Sequence, residues 1–126
     1  MANELILIIE DNEKNRKLAR DVLQVKGYQT IESETAEEGL KLAVDKSPVL
    51  ILMDIQLPGI DGITALKQLR ADPRTKSIRV IAITASAMTH NRQTMLAEGF
   101  DGYQTKPITL KDFLEEVRRV LDSRGS

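Results

Sequence analysis

Val49-Leu50-Ile51-Leu52-Met53-Asp54-Ile55 sets a carboxylate directly behind five consecutive apolar residues. A continuous apolar run, rather than an alternating one, marks a strand covered on both faces, as in a parallel sheet between helix layers. Leu5 to Ile9 and Val80 to Ile83 have the same character. Tyr28 to Ile31 and Asp101 to Gln104 are more polar and suit the edges of a sheet.

Between these runs lie helical patterns. Leu18, Val22 and Val25 recur at helical spacing after the first run, and Leu40 and Val44 after the second. Thr35 followed by Glu38 predicts a capping box at the start of the second helix. Leu66 and Leu69 mark a third helix, and a fourth, the most polar, is expected around Met88 to Ala97. Phe113, Val117, Val120 and Leu121 form one stripe of a fifth, with Thr109 as its expected N-cap. Strands and helices in strict alternation specify an α/β fold. With the two polar strands at the edges, the expectation is a flavodoxin-like, doubly wound, five-stranded parallel sheet in the order 2-1-3-4-5 with five helices. The chain of 126 residues reads as a single domain, 1–126, with its core over about 4–122. It shows no internal repeat, low-complexity tract or linker.

Composition narrows the chemistry. Eighteen basic and nineteen acidic residues leave a formal net charge of −1, so no strong basic excess invites nucleic acid. With no cysteine, disulfides, thiol catalysis and thiolate metal sites are excluded, and the lone His90 cannot build a multi-histidine centre. The run Leu5 to Ile9 is too short to span a bilayer and lacks a basic leader or cleavage site, so a cytoplasmic protein without a membrane partner is expected. Ser123-Arg124-Gly125-Ser126 reads as a frayed polar end.

In open α/β sheets, ligands bind outside the carboxyl ends of the strands. There the sequence places Glu10-Asp11, Asp54, Thr84 and Lys106. Each has a plain alternative: Glu10 and Asp11 as helix caps, Thr84 as an ordinary strand-end threonine, Lys106 as a surface lysine before a turn proline. The conjunction carries the weight. Asp54, set in an apolar run, needs a partner, because an unpaired buried charge is costly. Three carboxylates brought together repel one another unless a cation sits among them, and oxygen-only ligands favour a hard ion such as Mg²⁺. An ion with open positions also holds phosphate oxygens, and phosphoryl transfer needs mainly positioning and positive charge. Lys106 supplies a compact charge, Thr84 a hydroxyl donor and Asp54 a nucleophile able to form an aspartyl phosphate.

Taken together, Glu10-Asp11, the segment Leu52-Met53-Asp54-Ile55-Gln56-Leu57-Pro58-Gly59-Ile60-Asp61-Gly62, Thr84-Ala85 and Lys106-Pro107 resemble the receiver domains of two-component response regulators. The resemblance covers essentially the whole chain. It implies Asp54 as phosphoacceptor, Asp11 as a direct Mg²⁺ ligand, Glu10 as one acting through water, and the backbone carbonyl of Gln56 as a further ligand. It also implies Thr84 as the switch hydroxyl, Lys106 as the lysine that pairs with the phosphoryl group, and a cis Lys106–Pro107 peptide. Tyr103 matches the aromatic that turns inward on activation, with a half-buried edge-strand tyrosine as its plain alternative. Many receivers carry two aspartates where this chain has Glu10-Asp11. Gln56 and Ser86 flank the route of attacking water, and neither is an acid or general base, so slow self-hydrolysis is expected.

The segments around Asp54, Thr84-Ala85-Ser86-Ala87-Met88 and Lys106-Pro107-Ile108 resemble single-domain regulators of the DivK type, and equally the receivers of hybrid histidine kinases. The initial Met and the absence of linkers favour the former. The implied partners are a histidine kinase or histidine phosphotransfer protein, and a downstream partner protein. Asn15, Leu18, Ala19 and Val22 of the first helix, with Pro107 and Ile108, resemble the face that docks histidine-bearing helices; ordinary core is the alternative for Leu18 and especially Val22. A second face, from the fourth helix to the fifth strand, would report the switch through Tyr103. Two other functions compete: a pseudo-receiver that binds partners without phosphate, and a Mg²⁺-dependent phosphatase of the haloacid-dehalogenase kind, which needs a second Asp where Gln56 stands. A flavin protein shares the strand order, but Glu10-Asp11-Asn12 is acidic where a phosphate needs backbone donors.

Overall fold

The three apolar runs become the central strands of a parallel sheet. The computed structural model describes residues 4–123, so the polar end beyond Ser123 lies outside the described residues. The strands are β1 (Leu5–Ile9), β2 (Gln29–Ser33), β3 (Leu50–Asp54), β4 (Arg79–Thr84) and β5 (Gly102–Thr105). Between and after them run α1 (Glu13–Val25), α2 (Ala36–Lys46), α3 (Gly62–Ala71), α4 (Arg92–Glu98) and α5 (Leu110–Asp122). The sheet order is β2-β1-β3-β4-β5 with every pairing parallel, and the polar strands β2 and β5 form its edges. Among the described residues, no helix is long and apolar enough to cross a membrane.

Alternate residues of each central strand feed opposite layers. Leu7, Ile9, Ile51, Met53, Val80 and Ala82 point toward α2, α3 and α4, where Ala43, Leu66, Leu69 and Met95 meet them. Ile6, Ile8, Leu50, Leu52, Ile81 and Ile83 face α1 and α5, against Leu23, Phe113, Val117 and Val120. Each fully buried Ile, Leu or Phe contributes about 1.5–3 kcal/mol of transfer free energy, so both layers are needed to hold the sheet.

Side-chain caps fix where four of the helices begin. Asn12 accepts from the Asn15 N–H at 3.0 Å, Thr35 from Glu38 at 3.2 Å, Asp61 from Thr64 at 2.8 Å and Asn91 from Thr94 at 2.8 Å. Three expectations need correction. The fourth helix does not start at Met88: the Asn91 cap sets its start at Arg92, and Met88 lies in the preceding turn, 96% exposed. Thr109 occupies the N-cap position of α5 but its hydroxyl makes no capping bond. Val25 ends α1 in solvent rather than joining the buried stripe.

One close approach ties α3 to the sheet. A Cβ on Gly62 would stand 2.7 Å from the Asp54 carbonyl oxygen and 2.9 Å from the Ile55 Cα, both backbone atoms unable to move aside singly. Gly62 also donates its N–H to the Ile55 carbonyl at 3.0 Å, so helix and strand end are held together. Gly62→Ala is expected to lower unfolding free energy by about 2 kcal/mol, the scale of a core overpacking, in urea titration followed by circular dichroism.

Candidate functional site

The register of the parallel sheet brings its carboxyl ends level. Ile9 pairs with Met53, Asp54 with Ile83, and Thr84 with Thr105, so Glu10, Asp54, Thr84 and Lys106 emerge along one rim. Backbone bonds continue past the strand ends: Glu10 N–H donates to Ser33 at 3.1 Å, Ile55 N–H to Ile83 at 2.9 Å, and Lys106 N–H to Thr84 at 2.8 Å. Carboxylate oxygens of Glu10, Asp11 and Asp54 lie within 4.8 Å of one another. Glu10 and Asp54 are buried, whereas Asp11 is exposed at the mouth.

Lys106 reaches back from β5 across β4 to this cluster. Its Nζ lies 3.0 Å from Asp54 Oδ2 and 3.0 Å from Glu10 Oε1. The Lys106–Pro107 peptide is cis. Asp54 Oδ1 accepts the Gln56 N–H at 3.0 Å, which leaves the Gln56 side chain outside, exposed. Thr84 is fully buried, and its Oγ1 accepts the Ser86 N–H at 3.0 Å; its own proton therefore remains available to an acceptor in the site.

Charge in this rim is unbalanced. Burial, with the Asp54 carboxyl alongside, pushes Glu10 up to about 7, against the opposing pull of Lys106 and the Asn12 N–H. Burial alone would disfavour the Lys106 ammonium, yet its bonds to Glu10 and Asp54 outweigh that and raise it above the usual lysine range. Three carboxylates thus face one ammonium. The donors are all oxygen and close enough to share one ion, which fits a hard divalent cation and not a soft one.

Beside the site, Tyr103 is turned inward. It is 7% exposed and its hydroxyl donates to the His90 carbonyl at 2.6 Å. The Arg92 guanidinium sits 5.5 Å from the ring centroid. Glu116 of α5, absent from the sequence candidates, joins these groups: Oε2 accepts the Tyr103 N–H at 2.8 Å and pairs with Arg119 at 2.9 Å and Arg92 at 3.3 Å. Its clue was an acid beside the apolar stripe of α5, where burial demands partners. On the other side, Asn15 and Ile108 are half-buried, and Leu18 and Pro107 exposed. Ala19 cannot belong to a docking face, because it is 2% exposed and packs with Val22 in the α1–α5 core.

Burial raises the Glu116 carboxyl, but Arg119, the Tyr103 N–H and Arg92 together hold it below the usual glutamate range. A carboxyl depressed on folding contributes stability that is present above its unfolded pKa and lost as pH falls through the folded one. Glu116→Gln is expected to cost about 2 kcal/mol at pH 7 by urea titration, with the gap to wild type closing under acid conditions.

Comparison with known proteins bears on this arrangement. Residues 6–118 match the response regulator receiver domain family. Over 116 residues the chain is 41% identical to the polar-differentiation response regulator DivK of Brucella ovis, covering 92% of this chain and 94% of that protein, and DivK of Brucella anthropi matches equally. A CheY-like response regulator receiver domain protein from Methanospirillum hungatei superposes with a TM-score of 0.86 at 29% identity, covering 96% of this chain and 95% of that one. The receiver domain of a sensor histidine kinase from Pseudomonas aeruginosa gives 0.87 at 28% identity, covering 95% and 98%, and its structure has a magnesium ion coordinated in the active site cleft. By sequence over nearly its whole length, and by fold, the chain belongs to the response regulator receiver domain family of two-component signalling.

Proposed function

We propose that this receiver accepts a phosphoryl group on Asp54 from a phosphohistidine of a histidine kinase or histidine phosphotransfer protein, and so switches partner binding or relays the phosphate. The observation that carries this is the buried Asp54 carboxylate, held 3.0 Å from the Lys106 ammonium within a cluster of three acids. Glu10, Asp11 and Asp54, with the Gln56 carbonyl by family resemblance, would hold Mg²⁺. When bound, the ion supplies charge neutralisation for the transferring phosphoryl oxygens.

In the transfer, an Asp54 oxygen attacks phosphorus. The O–P bond forms as the P–N bond to the imidazole breaks; the imidazole keeps the electron pair and takes a proton from solvent. Lys106, already on Asp54 Oδ2, is placed to pair with the phosphoryl oxygens. Thr84 can turn its free proton toward them, drawing on the Ser86 backbone as it moves. Tyr103 lies on the route by which that motion would reach α4. We assign phosphodonor docking to Asn15, Leu18, Pro107 and Ile108, and readout to the face around Arg92 and Tyr103, where a groove of about 420 Å³ opens between β5 and α5. The phosphatase reading is weaker, since the position two residues after Asp54 is an exposed glutamine and not an acid.

Intact-mass spectrometry after incubation with acetyl phosphate should show one added phosphoryl group on wild type with Mg²⁺, and none without Mg²⁺ or in Asp54→Ala. No gain in folded wild type with Mg²⁺ present would turn the reading to a phosphate-independent binding module. Because Gln56 and Ser86 offer no general base, the phosphoryl group is expected to outlast seconds after the donor is removed; phosphate release timed after rapid desalting checks this.

A further inference from the structure

Arg16 of α1 touches the strand end that carries the acid pair. Its Nη1 donates to the Glu10 carbonyl at 2.9 Å, and its Nε to Glu32 Oε1 of β2 at 3.1 Å. The other Glu32 oxygen takes Arg20 Nη1 at 3.1 Å, one helical turn further on. Arg16 is only 14% exposed on its side chain, so the guanidinium is fixed between helix and sheet and does not wave in solvent.

The consequence lies in the backbone. Glu10 stands one residue past β1, where its N–H still bonds to Ser33 at 3.1 Å. Arg16 takes the carbonyl on the other side of the same residue. A peptide unit is planar, so fixing the Glu10 carbonyl fixes the Asp11 N–H and the direction in which Asp11 departs. Asp11 is exposed, so packing does not hold its carboxylate, and the backbone path fixes the point and direction from which its side chain departs.

We propose that Arg16, oriented by Glu32, is a positioning residue that aims the Glu10–Asp11 acids at the Mg²⁺ of the phosphorylation site through the Glu10 carbonyl. The inference rests on the Mg²⁺-dependent reading of Asp54 given above. It is separable from simple electrostatics, because the two predict opposite signs. Removing a positive charge near a cation site strengthens cation binding by Coulomb's law. Loss of aim weakens it, as losses of outer supporting partners do at other metal sites.

Calorimetric titration of metal-free protein with MgCl₂ provides the test, on wild type, Arg16→Ala and Arg20→Ala, with circular dichroism to confirm folding. Arg16→Ala is expected to raise the Mg²⁺ Kd about tenfold, while Arg20→Ala, which removes an equal charge from the same Glu32, leaves it within about twofold. Phosphorylation of Arg16→Ala by acetyl phosphate should return toward the wild-type rate at saturating Mg²⁺. An unchanged or tightened Kd in folded Arg16→Ala, with wild type binding normally, overturns the inference alone. Absence of Mg²⁺ binding in wild type overturns it together with the reading it rests on. If Arg16→Ala does not fold, Arg16→Met keeps the apolar stem without the donors and is read by the same criteria.

Discussion

Everything at the active rim depends on how Lys106 meets Asp54 and Glu10. Two unit charges about 4 Å apart interact by about 4 kcal/mol at the effective dielectric of a protein surface, so three acids within 4.8 Å cannot be ignored by the fold. Lys106 offsets one of them. It does so from just past the end of β5, two strands from β3, with β4 between them ending at Thr84. The remaining negative charge suits a divalent ion. The same excess that would strain a metal-free protein suits the site to a small hard cation, as in the proposed function.

Much of this could be read from the chain, for identifiable reasons. Runs such as Leu50 to Met53 are apolar on both faces because helices cover both, and so short a run suits a buried strand better than a buried helix. Strand ends followed, and with them Glu10, Asp54, Thr84 and Lys106. What escaped depends on contacts between distant segments. Glu116 stands beside the apolar stripe of α5, which hints at burial, but its partners from α4 and β5 lie far off in the chain and cannot be read from α5 itself. Arg16 looks like any exposed helical arginine until β2 presents Glu32 to it. The start of α4 was misplaced because Met88 and Thr89 carry no stop signal, while the cap that decides the matter is Asn91. Resemblance puts Ala19 on the docking face, yet it is buried, and a residue this small carries no signal in sequence of which way its face turns.

The α4–β5–α5 corner uses a different economy from the rim. β5 is an edge strand, and an edge leaves N–H groups without ladder partners. Glu116 takes the Tyr103 N–H from α5, and Arg92 links that carboxylate to α4 while lying over the Tyr103 ring. One carboxylate therefore joins three elements. Each bond is modest in net terms, about 1 kcal/mol, so the corner is ordered yet within reach of rearrangement by a ligand that prefers another arrangement.

Rim and corner are joined by a short run of hydrogen bonds. Thr84 Oγ1 holds the Ser86 N–H, the Ser86 carbonyl accepts the His90 N–H at 2.8 Å, and the His90 carbonyl accepts the Tyr103 hydroxyl at 2.6 Å. Physical continuity alone does not establish coupling; it needs an element with two discrete arrangements that both ends bias. The loop between β4 and α4 is the segment that would have to supply one under the proposed switch. Its outer side chains, such as Met88, make little packing that would resist motion, while its backbone is pinned at Thr84 and at Tyr103. What could carry a displacement along this loop is the bond from the His90 N–H to the Ser86 carbonyl, which ties its two pinned ends together. Under the proposed switch, a shift of the Thr84 hydroxyl toward a phosphoryl oxygen would either break the Ser86 bond or carry Ser86 and His90 along. The second course would alter the acceptor that holds Tyr103, and the proposed readout at the ring beside Arg92 and Glu116 rests on that link.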